Sequence, residues 1–485
     1  MSNKNEYQAL VKKPFYFQQV FIGKLFNESY CVENIQVYID YSEIYPSQIH
    51  GYIVGNKEKY EEIEKLFHLK SGFFKFESYD MEDRYERLLS NKVLFNSIKT
   101  YGWPDEIQNH FNSIISYLTF LEIETFLIRP SSVDFQEVNF CLNTNYNNLG
   151  GFFLPTLHYD GNITVKESEI ELNLNQKPYR IYICNRSFFN NENNALSTVS
   201  IGALRIKAPI DIDSNEFIKM SLNLAEDVLM LFSFVREKNL VWFYYNYFGI
   251  NGFKRYVKSF FNRKGESKQL DDFKYDDSFL YRGDATRFVE KCFINYRRLN
   301  EQGLNLKLPI IELNMGKHVK TINEQFILYF LGIEKIVDLT VKDRKIVSDK
   351  EFKKLHKKIY KCIDDYFKDK NEDARIQIKK KKIIEKLPEL NRPAFKSLLF
   401  ELFENLKIDN KSFYPKNGAF TLIKTRDKLF HTKVEPEMEM FEKENIRARS
   451  ILENLILKLL GWDECFHSPR TWEKKLIKNS ESEWQ

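Results

Sequence analysis

Through the first half of the chain, hydrophobic and polar residues alternate with the two-residue period of strands. The clearest stretches are Phe15 to Phe26, Tyr30 to Tyr41, Gln48 to Val54, Val138 to Thr144, Asn162 to Leu172, Tyr179 to Cys184 and Ser197 to Ala208. Turn chemistry separates them, as in Asn147-Asn148-Leu149-Gly150-Gly151 and Asp160-Gly161. This pattern predicts a mostly antiparallel sheet. Helices interrupt it: Pro104 suits the first turn of an amphipathic stretch through Leu121, and Asp213 with Glu216 forms a capping-box signal ahead of Phe217 to Val235. Two aromatic strands, Val241 to Phe248 and Phe253 to Phe261, close the domain.

From Asp284 onward the period changes to 3.6 residues. The expected helices are 285–302, 319–341, 350–367, 373–387, 393–406, 419–432 and 436–460. In the last, Ala448, Ile451, Leu452, Leu455, Ile456 and Leu459 make one stripe, Pro436 suits the first turn, and Gly461 is placed to stop it. The fold class is therefore α+β, a β-rich N-terminal domain (1–265) followed by an all-α bundle (281–468). Between them lies a polar linker (266–280), and a polar tail (469–485) ends the chain.

Length and composition agree with two domains: 485 residues, 43% hydrophobic and 29% charged, suit a globular chain with a sizeable core. No uncharged apolar run is long enough to span a bilayer, and Met1 to Leu10 carries no secretory pattern, so the expectation is a cytoplasmic protein without a membrane partner. The six cysteines are scattered singly and read as reduced thiols. Cys465 with His467 is the nearest approach to a ligand pair, and no structural metal and no cofactor are expected. Charge divides unevenly. Residues 1–280 hold 30 Lys+Arg against 36 Asp+Glu, net −6, whereas residues 281–485 hold 43 against 32, net +11. A basic helical domain attracts polyanions, although solvated lysine-rich faces would leave the same count.

One segment carries chemistry. In Phe420 to His431, FTLIKTRDKLFH, the residues Leu422, Ile423, Leu429 and Phe430 define an apolar stripe with Arg426 in its middle. A guanidinium removed from water without partners costs several kcal/mol. Arg426 must therefore meet a carboxylate, a subunit interface or a bound anion, or be a core arginine whose head reaches water. His431 follows five residues later.

Arg426-x4-His431 in a basic helical bundle resembles the R-x(4–6)-H motif of HEPN-domain ribonucleases. The order of features is similar to that of ApeA-like anti-phage HEPN proteins. A β-rich domain comes first, then the segment Leu331-Gly332-Ile333-Glu334-Lys335-Ile336, a long charged stretch, the Arg-to-His motif, and a closing helix ending Leu459-Leu460-Gly461-Trp462. The resemblance implies a metal-independent endoribonuclease acting as a homodimer, with both copies of the motif lining one cleft. It further implies abortive infection as the role, transfer RNA as a substrate, and a phage component sensed through the N-terminal half. Asp427 stands where family members commonly carry Asn.

The chemistry is coherent on its own terms. RNA supplies its own nucleophile, the 2′-hydroxyl, so scission needs a base, a cation for the phosphorane charge and an acid for the leaving oxygen. His431 suits base or acid and Arg426 suits the phosphate. Asp427 joins Arg426 and His431 as a catalytic candidate, the expected partner of Arg426 is Asp427 or Glu334, with Glu334 favoured, and Lys424, Lys428 and Glu334 are candidates for positioning RNA. Five residues on a straight helix place Arg426 and His431 about 140° apart. Either the helix ends or distorts before His431, or two chains each contribute. Lys353, Lys354, Lys357, Lys358 and Lys361 share one predicted helix, and Lys379 to Lys382 occupy the next. Four consecutive lysines cover every side of a helix, as a solvated face would, and no catalytic role is assigned to either group. Two alternatives remain open: a non-catalytic RNA- or partner-binding module, and a nucleotide or phage-component sensor with a dimerising bundle.

Overall fold

The computed structural model describes residues 16–42, 49–55, 61–65, 73–79, 86–98, 113–128, 134–145, 155–157, 163–165, 168–174, 177–192, 195–249, 252–258, 284–341, 345–368, 374–409, 413, 421–431 and 438–463. It divides into two compact units, residues 1–232 with 240–290, and residues 233–239 with 291–485. The expected linker and tail, Pro436, and the pair Cys465 and His467 lie outside the described residues.

The first unit is built on an antiparallel sheet. Strands β1 (Tyr16–Phe26), β2 (Cys31–Ser42), β3 (Ile49–Gly55), β4 (Phe74–Ser78), β5 (Glu86–Ile98) and β6 (Ser113–Phe120) pair in a closed ring, β5-β4-β1-β2-β3-β6 and back to β5. The ring encloses Phe21, Leu25, Val37, Ile39, Ile53, Phe76, Val93, Leu118 and Phe120, all buried, with the Phe76 and Phe120 rings edge to face at 6.2 Å. Strand β7 (Glu122–Ile128) continues β6 past Leu121 along the same edge of β5. From β7 an open sheet extends through β15 (Gly252–Lys258), β14 (Trp242–Gly249), β8 (Phe135–Asn145), β13 (Ala195–Lys207), β12 (Lys177–Glu192) and β11 (Ser168–Leu174). Strands β9 (Pro155–Leu157) and β10 (Ile163–Val165) pair separately.

Two expectations are corrected. Residues 113–120, expected as the second half of a helix running to Leu121, form β6. The run Ser-Ile-Ile-Ser-Tyr-Leu-Thr-Phe is rich in β-branched and aromatic side chains, and β3 and β5 hydrogen-bond it on both edges. The Pro104 end of that stretch lies outside the described residues. The single strand expected over Asn162 to Leu172 is two strands.

Helix α1 (Ser214–Arg236) begins as its cap signal implies, with the Asp213 carboxylate accepting from the backbone N–H groups of Asn215 at 2.8 Å and Glu216 at 3.2 Å. Its first turns sit on β14, where Phe217 meets the Tyr247 ring edge to face and Ser221 shares a 2.7 Å hydrogen bond with the Tyr247 hydroxyl.

The second unit is helical. Its elements are α2 (Asp284–Glu301, from Lys291 onward), α3 (Lys307–His318), α4 (Ile322–Thr340), α5 (Asp349–Phe367), α6 (Ala374–Lys386), a 3-10 turn (Leu387–Asn391), α7 (Phe395–Asn405), α8 (Thr421–His431) and α9 (Met438–Leu460). All seven expected helices are present within a few residues, and α3 is additional. Helix α9 is central. Ala448, Ile451, Leu452, Leu455 and Ile456 of the expected stripe are fully buried, and so are Phe441, Leu457 and Leu460 on its other sides. Gly461 adopts φ +75°, and the Trp462 N–H reaches the Leu457 carbonyl at 3.0 Å, the closure of a Schellman motif. Close packing of α4 on α9 depends on Gly332, whose missing Cβ would sit 2.7 Å from Leu452.

Candidate functional site

Helix α8 lies against α9 and α4. Leu422 and Thr425 are its buried positions, and Ile423, Arg426 and Leu429 are half-buried. The first turn is tied to α9 by a buried polar cluster: the Thr421 hydroxyl donates to the Glu444 carboxylate, and Arg447 donates to the same carboxylate and, at 3.1 Å, to Thr421 Oγ. Burial pushes the Glu444 carboxyl above its usual range, while Arg447 and the Thr421 hydroxyl pull it back.

This anchoring sets the direction of Arg426. Its guanidinium lies 3.4 Å from Glu334 of α4 and 3.1 Å from Asp427, and its Cζ stands 5.8 Å from the centre of the Phe330 ring. Phe330 is part of an aromatic floor with Phe326, Phe395 and Phe441. The Arg426 side chain keeps 33% of its surface exposed and Glu334 keeps 30%, so the pair borders solvent. Burial is the first influence on the Glu334 carboxyl and pushes it above its usual range; Arg426 pulls it down and Asp338 pushes it up.

The structure thus brings Arg426, Asp427 and Glu334 together. Lys424 and Lys428 are exposed. At 100° per residue they stand about 160° from Arg426, on the far side of α8. Helix α8 runs through to His431, its last residue, so it does not end before the histidine. The His431 side chain lies outside the described residues. Its position on the helix is about 20° from Lys424 and 60° from Lys428.

Sequence reasoning missed Phe330 and the Thr421–Glu444–Arg447 cluster. The signal for the latter was present, since Glu444 and Arg447 stand three residues apart among the buried Phe441, Ala448 and Ile451 of one helix. A second buried ionic group was also missed, in which Lys317, Arg449, Glu237 and Glu453 bind one another. Among the described residues no three His, Cys, Asp or Glu side chains gather as metal ligands would, and no helix is long and apolar enough to cross a membrane. Compared with protein-family models, curated proteins and solved structures, the chain matches none.

Proposed function

We propose that this chain is a metal-independent endoribonuclease of the HEPN type. The observation that carries the reading is the placement of Arg426: a permanently charged fork on an apolar helix face, oriented by two carboxylates and an aromatic ring, and open to solvent on one side. A structural arginine needs partners, and its head can reach water as well. A phosphate-binding arginine needs both.

In this mechanism Arg426 holds a non-bridging phosphate oxygen and stabilises the charge that builds as the 2′-hydroxyl attacks. His431 takes the 2′-proton and, as the imidazolium, delivers a proton to the departing 5′-oxygen, leaving a 2′,3′-cyclic phosphate. Asp427 and Glu334 orient the guanidinium. Because α8 continues to His431, the positions of Arg426 and His431 stand about 140° apart around one helix. The site is therefore composite, with Arg426 from one subunit and His431 from its partner across a two-fold axis. The β-rich unit takes the sensing role, with a phage component as trigger and transfer RNA as substrate.

The test is cleavage of transfer RNA in chelator by the native chain, by Arg426→Ala and by His431→Ala. Each variant is expected to lose about 10²-fold or more. Mixing the two inactive variants separates composite from single-chain sites: heterodimers hold one intact pair, so about a quarter of native activity returns for a composite site and none for a single-chain site. Cleavage by His431→Ala equal to the native chain overturns the assignment and leaves a non-catalytic RNA- or partner-binding module.

A further inference from the structure

Helices α5 and α6 form a hairpin that carries almost no core. Phe367 is the one buried side chain of α5, and none of the described side chains of α6 is buried. The hairpin is closed at its base by Asn391. The Ile346 N–H donates to the Asn391 backbone carbonyl at 3.0 Å, the Val347 N–H to its side-chain oxygen at 2.9 Å, and its amide returns a bond to the Val347 carbonyl at 3.0 Å. Beyond that clamp, α5 extends 19 residues, about 28 Å at 1.5 Å per residue.

Charge on this arm is distributed unequally. At 100° per residue Lys353, Lys354, Lys357, Lys358 and Lys361 fall within one arc of about 140° of α5, opposite Phe352, Ile359 and Ile363. All five lysines are exposed and, among the described residues, none has an ion-pair partner; Lys379 and Lys382 of α6 have none either. The nearby carboxylates are largely engaged elsewhere. Asp349 pairs with Lys345 at 2.6 Å, Glu351 caps α5 through Ser348, and Asp364 pairs with Lys380. Asp365 is the exposed exception. Lysines four apart repel and cost an isolated helix about 0.2–0.5 kcal/mol per pair. A solvated face needs charge but no fixed spacing. The row Lys353, Lys357, Lys361 instead advances about 6 Å per step, close to the spacing of successive phosphates along a nucleic-acid strand.

We propose that the α5–α6 hairpin is an RNA-docking arm that grips the phosphate backbone through the lysine row of α5, apart from the Arg426 site. The choice of RNA as the polyanion rests on the nuclease reading. A lipid surface fits less well, because a helix lying on a bilayer turns its apolar arc outward. Here the centre of the apolar arc, Phe352, Ile359 and Ile363, is half-buried, as are Ile376 and Ile384 of α6. Leu355, Tyr360 and Tyr366 of α5 and Ile378 and Ile383 of α6 are exposed, so a vesicle-binding measurement is the one that excludes a lipid surface.

The experiment uses the full chain carrying His431→Ala, a fluorescent RNA stem-loop and anisotropy over a salt series. Adding Lys353→Gln, Lys357→Gln and Lys361→Gln is expected to weaken binding at least tenfold in low salt. It should also flatten the log–log salt slope by about 2 to 3, at roughly 0.7–0.9 for each phosphate no longer neutralised. The triple Lys→Arg version, which keeps the charge, retains the affinity. Unchanged affinity and slope in the Gln variant overturn the arm. So does loss of binding to phosphatidylserine vesicles with RNA binding intact, which would assign the arm to membranes. Cleavage by the native chain reports on the Arg426 site separately: it can fail while the lysine row still governs RNA affinity, and it can succeed while that row proves inert.

Discussion

Replacing Lys317 with Met removes a cation from the middle of a buried ring of four charges. Its ammonium lies 3.0 Å from Glu237 and 3.3 Å from Glu453, and Arg449 reaches the same carboxylates at 3.4 and 3.2 Å. The Lys317, Glu237 and Glu453 side chains are each no more than 7% exposed. The native ring is neutral. Met fills the volume of the lysine stem, so packing is nearly conserved, but two desolvated carboxylates must then share one guanidinium. Leaving a buried charge uncompensated costs about 3–5 kcal/mol, which at about 2–4 °C per kcal/mol lowers the melting temperature by roughly 6–20 °C. Adding Glu453→Gln to Lys317→Met restores neutrality and is expected to recover at least half of the loss. The pH dependence has a definite sign. Burial holds the folded Glu453 carboxyl above its usual range. Its stabilising contribution is therefore present at acid pH, where it is protonated in both states, and is lost as pH rises through the folded value. Without Lys317, the first of the groups that pull this carboxyl down, the deficit is expected to be largest near neutrality and to shrink toward pH 5. Urea titrations of the native chain, the single and the double variant at both pH values measure this. A deficit below about 1 kcal/mol, or one independent of pH, refutes the reasoning.

Glu334→Gln separates orientation from stability. An ion pair about one-third exposed is worth only about 0.2–1 kcal/mol. Because burial raises the folded Glu334 carboxyl, its stabilising effect is confined to acid pH and disappears as pH rises. Gln copies the protonated form, so thermal melts should be unchanged at acid pH and show no substantial loss at neutral pH, while RNA cleavage falls about tenfold or more as the guanidinium loses one of its charged partners. Unaltered cleavage would remove Glu334 from the site. Gly332→Val pushes branched atoms into the Leu452 side chain where α4 packs on α9, and overpacking of that kind costs about 1–3 kcal/mol by denaturant titration.

The long amphipathic helices were legible because their periodicity, caps and stops agree, as in α9 with Gly461 and α1 with Asp213. Helix α3 was not: it spans only 12 residues, and Pro309 and Gly316 inside it read as breakers. Pro309 lies in the first turn, where its missing N–H costs nothing, and Gly316 makes room for the Tyr329 ring. Strand β6 was mistaken for helix because sheet pairing on both edges overrides a local pattern. Strands β4, β5 and β7 were overlooked because their signals are short or interrupted by Ser90-Asn91-Lys92. At the site, local spacing exposed the misplaced charge of Arg426. It could not show that Phe330, 96 positions earlier, lies beneath the guanidinium, because proximity across helices is a property of packing.

The kink at Leu121 makes a single strand, β6 and β7 together, belong to two structures at once. Its first half completes the ring and its second half begins the open sheet, with β5 as the common neighbour. Neither part can be excised with its hydrogen-bond ladder whole. A truncation designed to keep only the ring strips β7 from β15, and one that keeps only the open sheet leaves β6 without β3. The first unit should therefore melt in one step, and a proteolytic nick on either side of Leu121 should release no independently folded fragment.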